Sequence, residues 1–211
     1  RLTSVQRIEV ANDRLGDQDI ISMVLHSDME KLRRTDETVS REEFSASVNA
    51  ILKAKRIYIL GVRSAAPLAN FLGYYLNYMF NNVNVISGFS AGEMFEKIVG
   101  INSEDAVVSF SFPRYSSSTI KGTRYCRSTG ATVIGITDSA QSPLAECCDH
   151  VLLAKSDMVS LVDSLVAPLS VVNALIVAIA AKREKELART FDTLERIWDE
   201  YEVYEKNEKA N

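Results

Sequence analysis

The sequence predicts an α/β fold with a five-stranded parallel sheet, on three observations. Five short β-rich runs recur along the middle of the chain: RIYIL (Arg56 to Leu60), VNVIS (Val83 to Ser87), AVVSFS (Ala106 to Ser111), TVIGIT (Thr132 to Thr137) and HVLLA (His150 to Ala154). They start 18 to 27 residues apart, close to the repeat of a strand–helix–strand unit. Most are almost continuously apolar, as parallel strands covered by helices on both faces are.

The remaining elements follow in order. Residues 1–55 are polar and helical in pattern. Ile20, Ile21, Val24, Leu25 and Met29 recur at three- and four-residue steps and predict one buried stripe. A second helix is expected from Ser40, where Glu43 completes a capping-box pattern and Phe44, Val48, Ile51 and Leu52 form the apolar face. Helices between the strands are expected over Ala66 to Phe80, Ala91 to Val99 and Ser117 to Thr129, with a short one near Pro143 to Cys147. From Asp157 the chain reads as helical to its end. Val159 to Ala181 is apolar nearly all round, the mark of a helix buried on more than one side. Lys182 to Asn211 is charged, but Phe191, Leu194, Ile197, Trp198 and Tyr201 keep a stripe suited to packing on the domain or on a second copy.

Composition narrows the function. At 211 residues, 46% hydrophobic and 25% charged, the chain is an ordinary globular one rather than a disordered or fibrous one. A net charge of −4 makes it a poor nucleic-acid binder by itself, since phosphate neutralisation supplies most non-specific affinity. Cys126, Cys147 and Cys148 form no CxxC pair and only His26 and His150 accompany them, so neither a zinc site nor a disulfide framework is expected. That usage suits the reducing cytoplasm. The longest apolar stretch, Leu165 to Ala181, carries Pro168, Ser170 and Asn173 and reads as a core or interface helix, not a membrane span. The opening RLTSVQRIEV has no apolar run of the secretory kind, and a start at Arg leads us to expect further chain upstream.

Ligands of an open parallel sheet bind beyond the carboxyl ends of its strands. After the first strand comes Gly61-Val62-Arg63-Ser64-Ala65-Ala66-Pro67, small residues turning into a helix, with Ser64 at the expected N-cap and Arg63 adding a cation. Neither GxGxxG nor GxxxxGK[ST] is present, so no dinucleotide or other cofactor is expected. After the third strand, Ser109 and Ser111 alternate, Arg114 and Tyr115 follow in a turn, and Ser116 to Thr119 lead into a helix. Hydroxyls, free amides and a guanidinium are what a phosphate monoester needs. Glu93, in the first turn of the helix after the second strand, is placed either to complement the helix dipole or to accept sugar hydroxyls across the cleft. No nucleophilic triad assembles, because His150 begins a strand at the end away from the cleft.

The stretches RIYILGVRSAAPLA, DAVVSFSFPRYSSSTIKGTRYCRSTGATVIGITDS, SPLAECCDHVLLA and SLVDSLVAPLSVVNALIVAIA together resemble a sugar isomerase (SIS) domain, in particular the effector domain of RpiR/MurR-type bacterial transcriptional regulators. The resemblance runs from Arg56 to Ala181. It implies a three-layer αβα sandwich of the flavodoxin-like kind, dimeric or of higher order, binding a sugar phosphate at the strand ends. Residues 1–55 resemble the connector after the helix-turn-helix domain, residues 56–181 the phosphosugar-binding domain, and residues 182–211 a packing helix. DNA would then be reached only through an upstream domain that this chain lacks. The family's phosphate-binding hydroxyls carry over to Ser64, to Ser109 and Ser111, and to Ser116. Two departures stand out: GVRS replaces GxGxS, with Val62 at the second glycine, and Phe112-Pro113-Arg114-Tyr115 intervene before Ser116. A phosphosugar isomerase is the alternative, with Glu93 or Glu96 as its base.

Overall fold

The computed structural model describes residues 19–88, 90–158 and 162–204. The strands are β1 Ile57–Leu60, β2 Val83–Ile86, β3 Ala106–Phe110, β4 Thr132–Thr137 and β5 His150–Leu153. They pair in parallel in the order β2-β1-β3-β4-β5. Every residue of β1 and β3 is buried, and alternate residues face different cores. Ile57, Ile59, Val108 and Ile134 point to one side, and Tyr58, Leu60, Val107 and Val133 to the other. The helices α2 (Arg41–Lys53), α3 (Ala66–Leu76) and α6 (Val166–Lys182) fill the first core. Those named α4 (Ala91–Ile98) and α5 (Ser117–Ser128) fill the second, with the 3-10 turn Ala145–Cys147. The chain is thus three-layered.

Four sequence expectations change. The stripe on α1 (Ile20–Thr38) is not buried: Ile20, Ile21, Leu25 and Met29 are each more than half exposed, and Val24 is only half-buried. Their periodicity forms a helix face that no described residue covers. Ser40 caps α2 as expected, accepting the Glu43 amide at 3.1 Å. Glu43 does not close the capping box; its Oε2 accepts instead from Val151 N (3.3 Å) and meets His150 Nδ1 (3.0 Å), pinning α2 to β5. Residues 157–165, expected to be helical, are irregular where described and hold a Met158–Asp163 bridge; the helix starts only at Val166. The terminal helix α7 (Glu184–Glu200) leaves α6 at 95° and has no fully buried residue. Phe191 and Trp198 do lie on its packed side, Phe191 at 5.2 Å from the Tyr78 ring, whereas Ile197 and Tyr201 are exposed.

No single helix among the described residues is long and apolar enough to cross a membrane. The amino edge of the sheet is tied by Asp105, buried at the start of β3, whose carboxylate receives Arg56 Nε (2.9 Å), a second Arg56 nitrogen (2.7 Å) and the Asn102 amide (2.9 Å). Burial works against its charge, but those donors outweigh it and hold the carboxyl below the usual range.

Candidate functional site

In this strand order β1 connects outward to β2 and β3 connects the other way to β4, so the turns after β1 and β3 part and leave a crevice between them. A cavity of about 280 Å³ lies there. One wall is Val62, Arg63, Ser64 and Ala65; the other is Phe110 to Arg114 with Ser116.

The first wall depends on Gly61. A Cβ there would sit 3.0 Å from both the Ala65 oxygen and Ala69 Cβ, a tight approach that a larger residue could make only by pushing the turn into α3 back. The next turn is a 3-10 helix, Arg63–Ala65. Ser64 lies inside it and is exposed, and the residue before α3 is Ala65, so Ser64 is not the N-cap expected of it. Arg63 has φ 58°, a left-handed backbone that costs an L-residue but not a glycine. The position that asks for glycine is therefore Arg63, not Val62.

The second wall is more tightly built. Ser111 is 3% exposed and fastened to β4: its N–H donates to the Ile136 oxygen (3.4 Å) and its oxygen accepts from Thr137 Oγ1 (2.8 Å). Its Oγ accepts the Ser116 amide at 3.2 Å. Between the two, Arg114 stands at φ 70° and is exposed. Ser116 caps α5, accepting the Thr119 amide (3.4 Å) and sharing a hydrogen bond with Ser118 Oγ (2.9 Å). The turn thus brings two hydroxyls, a helix N-terminus and a guanidinium to one cavity, while the first wall brings a second guanidinium and Ser64. Both arginines occupy strained left-handed positions, which persist where the surroundings impose them and cluster at ligand sites.

Three expected site residues lie elsewhere. Ser109 is fully buried within β3 and accepts from Thr123 Oγ1 at 2.8 Å, so it locks α5 to the sheet instead of facing the cavity. Tyr115 turns away and donates its hydroxyl to Asp138 Oδ1 at 2.9 Å. Its ring does not line the cavity. Glu93 closes a capping box with Ser90: its carboxylate accepts the Ser90 amide (2.8 Å) and its own amide donates to Ser90 Oγ (3.3 Å). Those Ser90 bonds lower its pKa, the opposite of what a base working near neutrality needs. Glu96 does not line the cavity either.

Sequence reading missed Asp163, which lines the cavity from the segment before α6. It was hidden because SLVDSLVAPL reads as continuous apolar helix, and only its one acidic residue hinted otherwise. Its neighbour Ser164 donates to Asp28 Oδ1 of α1 at 2.7 Å, and the same carboxylate holds the buried Lys31 ammonium at 3.3 Å. A second route also reaches α1. Tyr115 binds Asp138, the Asp138 oxygen accepts Lys155 Nζ (3.4 Å), and the Lys155 amide donates to Thr35 Oγ1 (2.9 Å). No cluster of His, Cys, Asp and Glu suited to a metal occurs among the described residues.

Fold and cavity together define a three-layer α/β domain with a crevice at its topological switch point, lined by hydroxyls and two arginines. A sequence model of the SIS domain matches residues 50–178, more than half of the chain, and the chain belongs to the SIS domain family. It is similar in structure to the sugar isomerase domain of an RpiR transcription factor from Sphaerobacter thermophilus, with 28% identity and a TM-score of 0.80 over 85% of this chain and 99% of that one. It shares its fold with the NanR protein of Vibrio vulnificus, solved in complex with ManNAc-6P, at 17% identity and a TM-score of 0.74, covering 92% of this chain and 75% of that one. An uncharacterised HTH-type transcriptional regulator of Caldanaerobacter subterraneus subsp. tengcongensis is 22% identical over 185 residues, 84% of this chain; the chain spans 64% of that relative's length.

Proposed function

We propose that this chain is the effector domain of a transcriptional regulator that senses a sugar phosphate and controls an upstream helix-turn-helix domain. The observation that carries the reading is the pairing of Arg63 and Arg114, both left-handed, on opposite walls of a cavity that Ser64, Ser111 and Ser116 also line. A phosphoryl group sits among those donors. Asp163, an acceptor, takes the sugar's hydroxyl or amino protons. The RpiR and NanR neighbours support the class of ligand and of protein.

The helix α1 is the transmitter in this reading. It is joined to the cavity's surroundings through Ser164–Asp28 and through Tyr115–Asp138–Lys155–Thr35. Its exposed apolar face, continuous with a groove along Leu32, Val39, Phe44, Val171 and Ala174, is covered by a second copy of the chain. A ligand then shifts the dimer only by its difference in affinity for two arrangements. Three buried free cysteines suit the cytoplasm.

Isothermal titration with hexose, amino-sugar and pentose phosphates tests the ligand claim. Saturable binding by one class, lost when the phosphate is removed, supports it; no binding by any of them to the folded chain ends it. Turnover of a bound phosphosugar, followed by proton exchange with solvent, would assign the domain to catalysis instead.

A further inference from the structure

At the amino ends of the strands, far from the first cavity, lies a larger hollow of about 420 Å³. It is roofed by α7 and floored by apolar residues around Ile57 and Phe80. Four charged side chains line it, Lys55, Arg183 and Arg189 against Glu186, a local excess of positive charge in a chain whose net charge is −4. Lys55 is paired with Glu104 at 2.9 Å, while Arg183 and Arg189 make no ion pair among the described residues.

Arg183 is the one residue between α6 and α7, at their 95° bend. Its guanidinium stands 4.4 Å over the Phe80 ring, a cation–π contact that sets the plane of the fork. Its Nε is buried and finds no hydrogen-bond partner among the described residues. A buried N–H without an acceptor is a standing cost to a fold, and buried donors are otherwise almost always satisfied. That atom is closed off from solvent, so an incoming acceptor meets the guanidinium only where Arg183 lines the hollow, and the excess of positive charge there favours an anionic one. Because α7 buries no residue fully, an anion held by Arg189 on α7 and Arg183 at the bend would also fix the angle of α7.

We infer that this hollow is a second binding site, specific for a phosphate-bearing small molecule, with Arg183 and Arg189 as its charged donors. It is independent of the cleft at the carboxyl ends. The chain's single tryptophan, Trp198, is on α7 and reports occupancy.

The test is a titration of inorganic phosphate and pyrophosphate, at constant ionic strength, into the Ser111→Ala chain, whose cleft is weakened. The expected result is a saturable change in Trp198 emission with a raised Tm, weakened at least tenfold in Ser111→Ala/Arg189→Gln. Arg189 is exposed, so that variant keeps its fold even if Arg183→Gln does not. An emission that does not saturate, or one that responds equally in Arg189→Gln, overturns the site and leaves the cleft reading untouched.

Discussion

Ser111 Oγ accepts the Ser116 amide at 3.2 Å, closing the excursion that carries Arg114 at φ 70°. The bond joins the end of β3 to the cap of α5, so one hydroxyl sets both the shape of the turn and the place of a helix N-terminus beside the cavity. Ser111→Ala removes that acceptor. Phosphosugar affinity is expected to fall about ten- to hundredfold, the worth of a charge-assisted hydrogen bond of about 1.5–3 kcal/mol. Calorimetry measures it; an unchanged Kd would detach Ser111 from the ligand.

Arg63→Gly separates strain from function. A left-handed backbone costs an L-residue about 1–2 kcal/mol, and glycine's greater freedom in the unfolded chain returns part of that gain. The net effect expected is a Tm unchanged or slightly raised, with phosphosugar affinity at least tenfold weaker. A variant that binds as well as the parent would show Arg63 to be a turn residue only.

Ser109→Ala makes the reverse prediction. Its hydroxyl accepts from Thr123 in the core, so its loss leaves a buried donor unpaired and costs about 1–2 kcal/mol. Ligand affinity should stay within twofold of the parent's, measured on the folded variant. A large loss of affinity with unchanged Tm would restore Ser109 to the site.

Asp105 gives the fold its acid sensitivity. Its carboxyl is depressed below the usual value, so its contribution is complete above the unfolded carboxylate value, about pH 3.9, and disappears as pH falls through its lower folded value. Asp105→Asn should lose about 2 kcal/mol at pH 7, since Arg56 is partly exposed. The Tm gap between parent and variant should hold from pH 5 to 8 and shrink below about pH 4. A gap that persists in strong acid would mean that packing, not charge, is what Asp105 supplies.

Strand identity was plain along the chain because β1, β3 and β4 are buried on both faces, and that burial demands continuous apolar runs. The carboxyl-end turns were legible too, since small residues and hydroxyls after β1 and β3 mark a strand turning into a helix. Side-chain direction was not. Ser109 and Ser111 are two residues apart, so a regular strand would turn both to the same face; the strand ends at Phe110, and that break sends one to the core and the other to the cavity. Asp163 escaped notice because its segment has a helical composition and a non-helical path.

Local pattern alone determined the order of the strands along the chain, the parallel sheet and the two turns that line the cavity, because period and punctuation are properties of neighbouring residues. Which of those residues face the cavity, that Tyr115 swings to Asp138, that Glu43 leaves its own helix for β5, and that no described residue covers the α1 stripe were decided by tertiary contacts. Such contacts join residues as many as 136 positions apart, as Asp28 and Ser164 are, and no window of sequence holds both partners.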